Sequence, residues 1–195
     1  MSIEKDLRNW SREVLEVPNE ALGGLPACPF AKKAWKHKRV NVVETTGLLY
    51  TTEQQAKVFH NHKYELVVVA SYDYPDIDMF NKYVEYLNDK YTKNDLHIMG
   101  FHPDYGAEDA ELDFLYDHDW ESSIDKDYAM LFIQSLSQVD DASLQLEKLG
   151  YYTVYPEEEY KTLVLDRRAR RQSNGDETQS NEKEKDTNAW RRYAS

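Results

Sequence analysis

The stretch Leu66-Val67-Val68-Val69-Ala70 constrains the fold of this chain more than any other. It is β-branched through its middle and apolar at every position, so both faces of the strand it forms must be covered. A strand of that kind suits the interior of a sheet, and Tyr64 to Tyr72 reads as the central strand.

The segments around it alternate between helical and extended patterns. Leu7, Trp10 and Val14 share one helical stripe within residues 4–16, which Pro18 closes. Asn19 to Pro29 holds Gly23-Gly24 and two prolines and reads as a loop leading into a short helix from Phe30 to about His37. Val40 to Glu44 has a strand pattern, and Thr52 followed by Glu53, Gln54 and Gln55 resembles a capped helix start running to about His60. After Pro75, the apolar positions Ile77, Phe80, Val84, Leu87 and Tyr91 recur every three or four residues, as in a helix packed on a sheet. Leu96 to Phe101 is a third strand, ended by His102-Pro103.

Residues 104–127 are acidic and aromatic and read as a long excursion over the surface. By spacing, Tyr128–Leu136 and Ala142–Leu149 are expected to be helices, Gly150 a helix C-cap, and Tyr151–Tyr155 a last short strand. The resulting expectation is an α/β (α+β) protein: a ferredoxin-like sandwich in which a small sheet is covered by helices. Residues 1–166 form one globular domain, and residues 167–195, poor in large apolar side chains, form a disordered charged tail.

Charge narrows the function classes. The net charge is −12, and residues 167–195 carry eight Arg or Lys against five Asp or Glu, so residues 1–166 carry −15. A body that acidic repels phosphate backbones, which argues against nucleic acid as its partner. No apolar run approaches the ~18 residues of a membrane-spanning helix, and the charged N-terminus lacks the apolar stretch of a signal peptide. The chain is therefore expected to work in the cytosol without a membrane partner. Cys28 is the only cysteine, so an internal disulfide is impossible and any thiol chemistry rests on that residue.

Four clusters carry chemistry-bearing residues. Cys28-Pro29-Phe30-Ala31 places the thiol at a helix start, where the helix dipole favours the thiolate; the competing interpretation is a small buried hydrophobe. His102-Pro103-Asp104-Tyr105 directly follows a strand, where α/β folds commonly place sites; a loop whose side chains satisfy their own backbone explains it equally well. Asp117-His118-Asp119 lies further on, and His102, Asp104 and His118 together offer the mixed nitrogen and oxygen ligands of a divalent transition metal. A solvated acidic loop is the plainer account of that run. His60-Asn61-His62 has the alternate spacing that can grip a metal, although such a junction more often holds two solvated imidazoles. The basic run Arg167-Arg168-Ala169-Arg170-Arg171 can attract an anionic surface or fold back on the acidic body. Walker-type, Rossmann and Gly-x-Ser-x-Gly patterns do not occur.

The segments Leu25-Pro26-Ala27-Cys28-Pro29-Phe30-Ala31 and Gly100-Phe101-His102-Pro103-Asp104-Tyr105, in this order and about seventy residues apart, together resemble the bacterial domain-of-unknown-function family 1415. The resemblance covers residues 6–150 and implies that Cys28, His102, Asp104 and Tyr105 belong to one site; it implies no reaction. The chain departs from the family pattern at Asp119-Trp120-Glu121-Ser122-Ser123 and Leu131-Phe132-Ile133-Gln134-Ser135, where the family's arginines are missing.

Two functions follow as expectations. In the first, an enzyme acts on a small-molecule substrate with Cys28 as nucleophile or ligand, His102 as base or ligand, Asp104 orienting it and Tyr105 donating a hydrogen bond. In the second, a non-catalytic acidic module binds a basic protein partner.

Overall fold

The structure, a computed structural model, describes residues 2–104 and 128–173. Its centre is a four-stranded sheet of β1 (Val40–Glu44), β2 (Leu66–Ser71), β3 (Leu96–Phe101) and β4 (Ala129–Ser135), in the order β1-β2-β4-β3. β1 and β2 are parallel, and β4 is antiparallel to both β2 and β3. The three strands β1, β2 and β3 therefore end on one side of the sheet, and β4 starts there.

The apolar pattern of β2 is used as expected, with Val67 and Val69 facing one core and Val68 and Ala70 the other. The first core is covered by α3 (Leu48–Val58) and α4 (Ile77–Tyr91), which contribute Leu48, Ala56, Phe80, Leu87 and Tyr91. The second is covered by α1 (Ile3–Trp10) and α2 (Ala31–Lys36) through Ile3, Leu7, Trp10 and Trp35. α1 runs directly into a wider π turn, Ser11–Leu15. Asn88 of α4 is buried and caps the edge of β3: its side chain donates to the Ile98 carbonyl (2.9 Å) and accepts from the Ile98 N–H (3.0 Å). An edge strand satisfied in this way offers less unpaired backbone to another chain.

The class is the expected one, a small mixed sheet covered by helices. Among the described residues the elements from β1 onward follow the order β-α-β-α-β-β-α, however, whereas a ferredoxin-like fold runs β-α-β-β-α-β. The order departs at α4, which separates β2 from β3. Residues 128–136, expected as helix, hold β4 (Ala129–Ser135). Ala-Met-Leu-Phe-Ile-Gln-Ser is a short run apolar on both faces, and periodicity does not separate a buried strand of that length from a helix. With β4 in place, α5 (Leu136–Lys148) starts four residues before Asp140 and runs through it unbroken. Its start is built by Asp95, whose carboxylate accepts from the Ser135 hydroxyl (2.8 Å), the Ser137 N–H (2.8 Å) and the Ser137 hydroxyl (2.7 Å).

Three boundaries also move. α3 begins at Leu48 rather than at Thr52, whose buried hydroxyl donates back to the Leu48 carbonyl at 2.8 Å in the manner of a mid-helix threonine. Tyr151–Val154 form a 3-10 turn where a strand was expected, with Gly150 at φ 77° ending the helix as anticipated. Beyond Leu165 the chain stays helical through residues 166–173, past the expected start of the tail at 167; this α6 opens at Glu157–Tyr160 and includes a π turn, Lys161–Leu165. Its basic run folds back on the body. Arg167 Nε and Arg171 Nη1 reach the two oxygens of buried Asp140 (2.8 and 3.4 Å), and Arg168 meets Glu147 at 3.0 Å. The remainder of the tail lies outside the described residues.

Half-buried His97 of β3 lies within the field of this ion-pair layer. Burial, aided by the Arg167 charge and opposed by Asp140, pushes its pKa down from 6.5 to about 4. A folded-state pKa below the unfolded one means that its contribution is intact above about pH 6.5 and is lost as pH falls towards 4. Between pH 7 and pH 4.5 the wild-type chain should lose about 2 kcal/mol more stability than His97→Gln in urea denaturation. Equal losses in the two proteins would refute the assignment.

Candidate functional site

The expected site residues are separated by the fold. Cys28 precedes α2 in the layer over the second core; its N–H donates to the Leu15 carbonyl (2.9 Å), and the neighbouring Ala27 carbonyl accepts from Tyr151 (2.7 Å). His102 lies just past β3 and packs against Phe80 of the first core, with ring centroids 5.1 Å apart. The sheet stands between these layers, so the structure does not bring Cys28 to His102. Tyr105, His118 and the rest of Asp117-His118-Asp119 lie outside the described residues.

Burial also changes the chemistry expected of Cys28. Its desolvation raises the thiol pKa and outweighs the opposing hydrogen bonds from the Phe30 and Ala31 backbone, while Glu16 adds a further raising influence. The α2 N-terminus thus fails to produce the reactive anion, because the thiolate would lose more hydration than these two donors return. Alkylation of Cys28 by iodoacetamide near neutral pH should run slower than that of a free cysteine peptide, and a faster rate would contradict this account.

His102 is 5% exposed and is held by backbone at both ring nitrogens. A carbonyl can only accept, so Nε2 carries the proton that is donated to the Pro75 carbonyl (3.0 Å). The Asp104 N–H donates to Nδ1 (3.2 Å), and the exposed Asp104 carboxylate lies 3.6 Å from the same nitrogen. With Nε2–H turned to Pro75 and the Nδ1 lone pair turned to Asp104, both positions that could bind a metal are already engaged. Among the described residues, no group of three or more His, Cys, Asp or Glu side chains is arranged to hold a metal ion. His60 is engaged likewise, Nε2 lying 2.8 Å from the Asn94 carbonyl, and His62 sits against the Tyr64 ring.

What His102 does is brace a cleft. Pro75 and Tyr74, whose ring meets the imidazole at 5.1 Å and 87°, form one wall of a cleft of about 330 Å³. The same wall continues to Asp73, whose N–H donates to the Ser71 hydroxyl (3.0 Å) and whose carbonyl accepts from it (2.7 Å). The opposite side is the β1–α3 turn, Thr46 and Gly47, with the first helical turn, Leu48 to Tyr50. Thr45 steadies that turn by accepting from the Gly47 N–H (3.0 Å) and sharing a hydrogen bond with the Thr51 hydroxyl (2.8 Å). Tyr83 of α4 completes the lining.

The cleft therefore opens beyond the C-terminal ends of the adjacent parallel strands β1 and β2, the side of an open α/β sheet where ligands bind. None of its lining residues was singled out from sequence. The available signal was the pair of tracts Thr45-Thr46-Gly47 and Asp73-Tyr74-Pro75, each directly following a strand; starting α3 at Thr52 hid the first.

These features define an α/β protein with a braced cleft at its strand ends. In comparisons with known proteins, no family model, no curated protein and no solved structure matches the chain. Among the described residues, no helix is long and apolar enough to cross a membrane.

Proposed function

We propose that this chain binds a small molecule in the cleft between the β1–α3 turn and the Asp73-Tyr74-Pro75 wall. The observation that carries the reading is that the cleft occupies the strand-end position while both of its sides are fixed by hydrogen bonds, from Thr45 on one and from Ser71 and His102 on the other. Its volume lies at the small end of the roughly 300–1,000 Å³ range of ligand sites.

In this reading His102 is a positioning residue that acts through Pro75 and Tyr74, and Cys28 takes no part. The motif resemblance to family 1415 is kept within the proposal to that extent: its His-Pro-Asp segment supports a ligand site. A chain with one cysteine needs no oxidising compartment, which supports work in the cytosol. The test is a fragment screen read by amide chemical shifts. Ligands should shift Gly47, Tyr50, Asp73 and Tyr83, and His102→Ala should weaken the same ligands several-fold while the shift pattern of the distant core persists. A screen whose hits all map elsewhere would end the proposal.

A second reading, an acidic module for a basic protein partner, draws on one observation. Arg167, Arg168 and Arg171 are engaged by Asp140 and Glu147, so the basic run is turned towards its own body. Salt-sensitive capture of a basic protein that survives Tyr83→Leu would favour this reading over the cleft.

A further inference from the structure

We infer that the cleft is selective for an organic ammonium ion, an inference that rests on the cleft being a ligand site. Of the nine described residues that line it, three are tyrosines, Tyr50, Tyr74 and Tyr83, and one, Asp73, carries an ionisable carboxyl. Among the described residues, no lysine, arginine or histidine lines it. An aromatic ring presents a negative face, and several rings near one carboxylate form the surroundings in which alkylammonium groups are held against water.

The remaining lining suits the alkyl part of such a ligand. Leu48, Leu49 and Pro75 are apolar, and Thr46 and Gly47 add little charge of their own. Tyr50 is 71% exposed, so its ring stands at the mouth where solvent meets a ligand. Asp73 is exposed, and its backbone is pinned by Ser71, which holds it beside Tyr74.

One feature of the cleft opposes a cation and thereby places it. α3 starts at Leu48 with no side-chain cap, and the positive end of the helix faces the Gly47 side. An ammonium group is disfavoured there and favoured at the opposite wall, beside Asp73, Tyr74 and Tyr83. The charge of the whole chain, −12, raises the local concentration of cations and disfavours anions at long range.

The experiment compares choline with 3,3-dimethylbutan-1-ol, a neutral molecule of nearly the same shape, and with acetate, each titrated into the full chain and followed by amide shifts and calorimetry. Choline is expected to bind at least ten-fold more tightly than the neutral alcohol, shifting Asp73 and Tyr83, and to lose at least five-fold in affinity in Asp73→Asn and in Tyr83→Leu. Nα-acetyl-lysine N-methylamide, titrated alongside, distinguishes the source of the ammonium: tighter binding than choline points to a lysine side chain of a protein, weaker binding to a free small molecule.

Equal affinity for choline and the alcohol, or tighter binding of acetate, overturns the cation assignment and leaves the cleft a ligand site of another kind. Absence of binding by all the probes also overturns it, and the broader fragment screen then decides separately whether the cleft binds anything. Because the choline and alcohol comparison uses the unaltered chain, it stands even if a variant misfolds.

Discussion

Asp140→Ala is expected to lower the unfolding free energy by about 3–5 kcal/mol in urea denaturation, the cost of removing one partner from a buried ion pair. Asp140 is 3% exposed and takes Arg167 Nε at 2.8 Å and Arg171 Nη1 at 3.4 Å. The two arginines would respond differently to its loss. Arg171 is exposed and can turn to water, whereas the Arg167 side chain is mostly buried and its Nη2 has no hydrogen-bond partner among the described residues. Among the described residues Arg167 would keep only its bond to the Leu163 carbonyl, leaving a buried charge with no counter-ion there.

The double substitution Asp140→Leu with Arg167→Met separates this cause from simple loss of packing. It removes both charges together and should recover most of the stability, because the desolvation of the pair disappears with the pair. Hydrogen exchange should localise the damage of Asp140→Ala to Glu157–Leu165 and residues 166–173, the helix that these arginines fasten. A loss below about 1 kcal/mol, with exchange unchanged there, would mean that the helix is held by other contacts such as buried Val164.

How much of this was legible in sequence depends on what kind of signal each element carried. β1, β2 and α4 were readable because a β-branched run or a long three-to-four periodicity admits one interpretation, and β3 because His102-Pro103 ends a short, largely apolar run. β4 was not, since Ala129 to Ser135 is apolar whichever period is imposed, and only its position between β2 and β3 decides the matter. Arg167 to Arg171 was placed at the start of the tail with folding back on the acidic body as one of its readings, because composition shows charge without showing that Asp140, some 27 residues earlier, lies beneath it.

The site divides in the same way. His102 and Asp104 were visible as chemistry-bearing residues, and the backbone-satisfying role that competed with catalysis is the one their hydrogen bonds display. That His102 braces Pro75 was not readable, because the contact spans 27 residues and joins two loops. At Cys28 the sequence offered both a helix-start thiolate and a small buried hydrophobe, and desolvation, the larger influence on the thiol, favours the second.

Phe80→Ala carries the second large effect, about 3–5 kcal/mol of stability, as for other aromatic truncations in a core. Phe80 is fully buried, and its ring occupies space that exists because residue 100 has no side chain: a Cβ on Gly100 would lie 2.7 Å from Phe80 Cε1 and 2.6 Å from Val84 Cγ2. Gly100→Ala alone should therefore cost about 1–3 kcal/mol through overpacking. Combined with Phe80→Ala it should cost less than the sum, because truncating the ring removes one of the two clashes. The site should feel the change as well. The Phe80 ring lies 5.1 Å from the His102 imidazole, which holds Pro75, so truncating Phe80 loosens the brace behind the Asp73-Tyr74-Pro75 wall. Ligands of the cleft should weaken in Phe80→Ala under conditions where the variant is still folded, whereas Asp140→Ala, which acts on the other layer, should leave them unchanged. Strict additivity of Phe80→Ala and Gly100→Ala, or equal loss of cleft binding in Phe80→Ala and Asp140→Ala, would show that the packing chain from Gly100 through Phe80 to His102 does not set the geometry of the cleft.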